Sequence, residues 1–408
     1  MKNHKSHILK VKAISVIAIV LLLVIGLIAA NMVLARKETD FEYNKFTGWY
    51  PLKNMDKEVF QGNDNQYVIS TDEFGHRNHL KYPPDGKLEY VVQGDSNIFG
   101  FGLRYKDTFC YKLNQLTKNA FYNFGIKGFD INNYYFQYKY FANKFMIKNR
   151  VIVFNIGNDF TLAMYSTPYL IGRPYLYVDK GTVKEVSDNT NRIKKQIYGY
   201  KFIEKYKEYN HLVEFLSIGR DWGDRCPKWI EKIPLVFFIT DKFYSRIYET
   251  IACWMYPKDK KVKAKLLSPY YPSWLLLKQE LWPEPYKYYT GDFERILRHI
   301  KNQNENICIV LLPMRSQIVD ESFEEAKSKL IKNGYRKEDI DRLSFNRYMS
   351  NICLRNNIKL IDCTANLHSY QIPKDLYQID NAHLSIKGIE ICARALAKEL
   401  RLFESQGR

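Results

Sequence analysis

Five apolar runs, each closed by a turn, set the architecture open to this chain. Leu88-Glu89-Tyr90-Val91-Val92-Gln93 is rich in β-branched and aromatic residues and stops at Gly94. Ala120 to Phe124 reads as a short second strand ending in the Gly125–Gly128 turn. Val151 to Ile156 is the clearest buried strand, and Gly157 closes it. Asn306 to Leu312 stops at Pro313, and Ile358 to Asp362 completes the set. Between them lie stretches of helical spacing: 107–118, Asn132 to Asn149, Glu321 to Lys332, Glu338 to Asn356 and a final Ser385 to Leu402. In Asn132–Asn149 the rings of Tyr135, Tyr138, Phe141 and Phe145 recur at three and four residues, a stripe that reads as core packing. Strand, turn and helix in repetition require a parallel sheet with crossovers, an α/β fold.

The rhythm breaks between residues 165 and 290, too long a stretch for an ordinary loop. It holds apolar helical pieces (Ile230 to Ile251), a basic run from Lys258 to Lys265, and a Pro/aromatic segment with Trp274, Trp282 and Tyr289. We read it as an inserted helical and aromatic subdomain or lid. Its rings are expected to build the subdomain's own core, with stacking on sugar faces as the alternative. The organisation expected is a basic N-terminus (1–12), an apolar span (13–35), a polar approach without strong period (36–65), and an α/β domain in two parts (66–164 and 291–408) around the insertion. At 408 residues and 46% hydrophobic content the chain can fill a core, which excludes global disorder.

Residues 13–35 carry no charge and would span about 34 Å as a helix, enough to cross a bilayer core. Lys2, Lys5, Lys10 and Lys12 precede the span, while Glu38 and Asp40 soon follow it. This bias places the N-terminus in the cytoplasm and the body outside, a single-pass membrane protein with an extracytoplasmic (periplasmic) domain. A cleaved signal peptide is the competing reading, with Val33-Leu34-Ala35 as the cleavage site, but its apolar region is normally ~7–15 residues long. The net charge of +18 fits an anionic membrane face or acidic glycan better than nucleic acid, which the exported topology argues against. The seven cysteines contain no Cys-x-x-Cys pair, so zinc-site spacing is absent. Cys308, Cys353, Cys363 and Cys392 read as buried thiols, while Cys226 and Cys253 could pair in an oxidising compartment.

Four short segments carry the chemistry: Gly94-Asp95-Ser96, Asn123-Phe124-Gly125-Ile126-Lys127-Gly128, Gly157-Asn158-Asp159 and Asp380-Asn381-Ala382-His383. Each alone is weak. In order, they supply a serine, oxyanion donors and a histidine with a nearby acid, the parts that acyl transfer through serine requires. Ser96 would sit at a strand's C-terminal end, where open α/β sheets bind ligands. His76 and His79, near Arg77, suit structural or substrate-edge roles. Asp95 and Asp159 are expected to fix their loops by accepting backbone N–H bonds.

This set resembles the SGNH (GDSL) hydrolase superfamily, and the segment Asp72–Asn78 looks like the Gly-x-Arg approach of its membrane-anchored relatives. His383-Leu384-Ser385-Ile386-Lys387-Gly388 is similar to the family's His-x-x-x-x-Gly entry into a last helix. The resemblance implies a flavodoxin-like parallel sheet sandwiched by helices. It implies Ser96 as nucleophile, His383 as base, and Asp380 as the acid that orients the imidazole. It implies oxyanion donors from the Ser96 and Gly128 backbone and the Asn158 side chain. Two departures are the order Gly157-Asn158-Asp159, where many relatives read Gly-x-Asn-Asp, and Asn97 after the serine. No metal and no cofactor are expected.

The expected activity is a serine esterase or O-acyl(acetyl)transferase acting on an acyl ester or glycan, with envelope polysaccharide as the substrate the resemblance implies. A membrane-bound acyltransferase partner that supplies the acyl group is implied in the same way. The alternative is a catalytically silent glycan-binding or assembly protein of the same fold.

Overall fold

The computed structural model describes residues 41–44, 46–61, 65–160, 174–186, 273–282, 284–304, 306–378 and 382–406. The apolar span 13–35, Cys226, Cys253 and Asp380 lie outside the described residues. Among the described residues no helix is long and apolar enough to cross a membrane.

The centre is a five-stranded parallel sheet. Its strands are β5 (Lys87–Gln93), β6 (Phe121–Asn123), β7 (Met146–Asn155), β10 (Ile307–Leu312) and β11 (Lys359–Asp362). They lie side by side as β6-β5-β7-β10-β11, every neighbour parallel. Counted in chain order within the sheet this is 2-1-3-4-5, the flavodoxin-like doubly wound order. The order reverses between β5 and β7, so the switch point falls at the end of β5, where Gly94-Asp95-Ser96 begins.

Side-chain alternation along the strands divides the core in two. Ile152 and Phe154 of β7 point into one layer with Ile309 and Leu311 of β10. Helices α3 (Ile131–Ala142), α4 (Glu284–Lys301) and α7 (Ser344–Arg355) cover that face through Tyr134, Phe293 and Phe345. Val151 and Val153 face the other layer, covered by α2 (Phe109–Leu116) and α9 (Ile386–Gln406) through Leu113, Ile389 and Leu396; α5 (Arg315–Ile318), α6 (Asp320–Lys332) and α8 (Thr364–His368) lie between these two in sequence. Burial on both faces is why these strands read as unbroken apolar runs.

Several elements differ from the sequence reading. The approach segment contains two antiparallel hairpins, β1 (Phe41–Asn44) with β2 (Gly48–Pro51), and β3 (Asp56–Gln61) with β4 (Asn65–Ser70). The helical spacing from 132 ends at Ala142, and Met146 to Asn149 instead starts β7. The helix expected over 338–356 is a 3₁₀ turn (Lys337–Asp339) followed by α7, and Asp side chains capture backbone N–H groups at the start of the turn and between it and the helix. Asp339 accepts from Arg336 N at 2.9 Å and Asp341 from Leu343 N at 3.1 Å. Within 165–290, β8 (Tyr175–Asp179) and β9 (Thr182–Val186) form a hairpin, and α4 already begins at Glu284. Trp274, Trp282 and Tyr289 are buried in the same layer as Phe154 and Phe345, so these rings build the sheet domain's core. Cys308, Cys353, Cys363 and Cys392 are buried free thiols.

Candidate active site

Ser96 is the first residue of a one-turn helix, α1 (Ser96–Phe99), that begins where β5 ends. Asp95 caps it: its Oδ1 accepts from Asn97 N at 2.8 Å. The other carboxylate oxygen, Oδ2, accepts from Asn155 Nδ2 at 2.9 Å and Asn158 Nδ2 at 3.2 Å. One buried carboxylate thus ties the end of β7 to the serine turn.

The turn after β6 lies against the same helix. Ile126 N donates to Gly94 O at 3.0 Å, and Asn123 Nδ2 donates to Ile98 O at 2.9 Å. Gly125 makes the approach possible, since a Cβ there would stand 2.4 Å from Phe99 N and 2.6 Å from Ile98 C. Gly128 closes the turn with φ of 70°. Asn123 N in turn donates to Asn78 Oδ1 at 2.5 Å, which carries the approach segment into the site's support.

His383 arrives from the far end of the chain. Its Nε2 lies 2.7 Å from Ser96 Oγ, and its ring packs against Phe101 with centroids 4.7 Å apart. His383 and Leu384 are tied to an earlier part of the chain by the Tyr377–Leu384 bridge and by Gln378 N donating to His383 O at 2.8 Å. Gly388 lets α9 start close by, for a Cβ there would stand 2.5 Å from Leu376 O.

The structure therefore brings Ser96, His383 and Asn158 together, with the Gly125–Gly128 turn alongside; Asp380 lies outside the described residues. Asp95 and Asp159 both take backbone N–H bonds. Asp159 Oδ2 accepts from Asn155 N at 2.9 Å and from Tyr134 Oη at 3.0 Å. Burial, reinforced by the Asp95 charge, holds the Asp159 carboxyl well above the usual carboxylate range.

Two supporting residues, Asn155 and Arg77, escaped the sequence reading of roles, whereas His76 takes the structural one of the two roles read for it. Asn155, two residues before Gly157, holds Asp95. Arg77 is buried and spends its guanidinium on backbone carbonyls: Gly100 O at 2.6 Å, Leu103 O at 2.8 Å, Val68 O at 3.0 Å and Phe99 O at 3.3 Å. It thereby clamps the exit of α1 against β4. Burial lowers its pKa to about 10, so it stays charged at neutral pH. His76 is fully buried, stacked on Phe124 with centroids 3.9 Å apart, and bonded to the Tyr50 and Tyr82 hydroxyls. It is a structural residue. Among the described residues no group of His, Cys, Asp and Glu side chains could hold a metal ion.

A doubly wound α/β domain with a serine–histidine pair at its switch point is the class of protein that this fold and site define. No family model and no curated protein matches the sequence. Solved structures similar to the chain include a putative lipolytic protein of the G-D-S-L family from Desulfitobacterium hafniense, at 11% identity, with 77% of this chain and 98% of that one covered and a TM-score of 0.32. A G-D-S-L family lipolytic protein from Veillonella parvula is similar at 10% identity, covering 76% and 97%, TM-score 0.32. So is a putative GDSL-like lipase from Parabacteroides merdae, at 10% identity over 78% and 96%, TM-score 0.33. The likeness to the SGNH superfamily rests on this chain's own motifs, strand order and serine–histidine pair.

Proposed function

We propose that the chain is an SGNH-type serine esterase or O-acyltransferase acting on an acylated extracytoplasmic substrate, with envelope polysaccharide as the substrate class. The observation that carries the reading is the 2.7 Å contact between Ser96 Oγ and His383 Nε2. A free serine hydroxyl is a weak nucleophile, and an imidazole nitrogen within hydrogen-bond reach is what activates it.

In this reading Ser96 Oγ attacks the ester carbonyl as His383 Nε2 takes its proton. The developing oxyanion is met by the backbone N–H groups of Ser96 and Gly128 and by the Asn158 amide. A primary amide carries two N–H donors, and the one spent on Asp95 fixes the plane of the other. His383 then returns the proton to the departing alkoxide, leaving an acyl-serine and an alcohol. Water or a sugar hydroxyl next gives up its proton to His383 and takes the acyl group, and His383 returns that proton to Ser96 Oγ as it departs. Asp380 is assigned the orientation of the imidazole. The apolar span 13–35 would hold this domain at the membrane, beside a membrane-bound acyltransferase that supplies acyl groups.

The test offers the protein a chromogenic acetyl ester, with and without a glycan acceptor. Release is expected in wild type and to fall at least about a thousandfold in Ser96→Ala and in His383→Ala. Acyl groups recovered on sugar would mark a transferase, and acyl recovered only as free acid a hydrolase. Equal turnover in wild type and Ser96→Ala would overturn the assignment.

A further inference from the structure

We infer that Asn97 is a positioning residue that sets His383 against Ser96, with Gln378 as its counterpart on the histidine segment. The inference rests on the serine–histidine reading above and deepens it.

Asn97 directly follows the serine, and its side chain is only 4% exposed. Its Oδ1 accepts from the backbone N of Leu384, the residue after His383, at 2.9 Å across 287 positions of sequence. Its Nδ2 lies 3.2 Å from Asp95 Oδ1, which also takes Asn97 N, so the amide is held on both sides. The amide plane cannot turn without giving up one of these bonds. Whatever fixes the serine turn therefore fixes the peptide that carries the imidazole.

Gln378 completes the grip from the other strand of the histidine loop. Its backbone N donates to His383 O at 2.8 Å. Its Nε2 donates to Leu384 O at 3.0 Å and to Phe101 O at 2.8 Å, just beyond α1. The peptide linking His383 to Leu384 and the Leu384 carbonyl are thus bonded back to the segment 95–101 or to the loop's own neck. Two side-chain amides do this with no charge of their own, so the clamp adds no ionic group beside the imidazole. A leucine at position 97 would fill similar space and offer the Leu384 N–H nothing.

The test compares wild type, Asn97→Leu and Gln378→Met by two measurements independent of turnover. One is hydrogen exchange of the Leu384 amide. The other is carbethoxylation of His383 by diethyl pyrocarbonate, read by peptide mass. Both are expected to accelerate at least about tenfold in Asn97→Leu, and by less in Gln378→Met. Fluorophosphonate modification of Ser96 and kcat for a chromogenic ester should fall about 10- to 100-fold, the usual effect of misplacing a catalytic group by an ångström, with KM within about twofold. A residue that merely stabilised the fold would leave kcat and His383 reactivity unchanged in the folded fraction. Unchanged exchange and carbethoxylation in Asn97→Leu would overturn the inference, as would faster exchange with an unchanged fluorophosphonate rate. Should Asn97→Leu fail to fold, Gln378→Met decides by the same measurements, and no acceleration there overturns it. A wild type inert to fluorophosphonate, yet showing both accelerations on substitution, would sink the ester-transfer chemistry and leave the clamp standing.

Discussion

Replacing Arg77 by methionine tests whether the approach segment supports the serine turn. The guanidinium makes three bonds of 3.0 Å or less, to Gly100, Leu103 and Val68 carbonyls, and a longer one to Phe99. Methionine fills much of the same volume and supplies no donor. Each buried carbonyl left without its partner costs about 1–3 kcal/mol, so the two short buried bonds, to Gly100 and Leu103, bring ~2–6 kcal/mol, and the part-buried Val68 bond adds less. Relief from burying a cation offsets part of this, which places the net loss at about 2–4 kcal/mol. At about 2–4 °C per kcal/mol, the melting temperature should drop by at least about 4 °C. Arg77→Lys should recover less than half of this, because one ammonium cannot span carbonyls on both sides of the planar fork. The assay is urea unfolding followed by tryptophan fluorescence, alongside thermal melting. An Arg77→Met protein within about 1 kcal/mol of wild type would refute the reasoning, since no ordinary scatter in hydrogen-bond energies covers that gap.

His76 should make the fold sensitive to acid. Burial outweighs the attraction of Asp72, 3.9 Å away, and lowers its pKa to about 4, against 6.5 in an unfolded chain. Above pH 6.5 both states are neutral; as pH falls towards 4 only the unfolded state gains the proton, so stability is lost. The loss is about 2 kcal/mol between pH 7 and pH 5, and His76→Gln should remove that share of the slope in urea titrations. Gly125→Ala should abolish activity or soluble folding, because its Cβ would meet the backbone of Ile98 and Phe99 rather than a movable side chain. Normal expression and turnover of that variant would contradict the packing of the second motif against α1.

What could be read from the sequence divides along physical lines. β5, β7 and β10 were legible because burial on both faces leaves a run of apolar residues that ends at a glycine or proline. The meeting of Ser96 and His383 was implied by the resemblance of the motifs to the SGNH superfamily; Ser96 stands just after β5 and His383 just before α9. The hairpins β1–β4 were not, because each strand is only four to six residues long; β1, β3 and β4 interrupt their apolar positions with Glu, Lys, Asn or Gln, and β2 is bounded by Gly48 and Pro51. Trp274 and Trp282 were assigned to an inserted body because sequence distance hides that they pack against Phe160 and Phe345. Arg77 and Asn97 stayed obscure for a different reason. Their long-range partners are backbone groups, which every residue has, so no second side-chain type marks the contact.

The proposed chemistry requires Ser96 to be a nucleophile made reactive by His383. Incubation with a fluorophosphonate, followed by peptide mass mapping, measures this directly. One phosphonyl group per chain, located on Ser96 and lost in both Ser96→Ala and His383→Ala, is the predicted result. Label on another residue, or undiminished label in either variant, would contradict it.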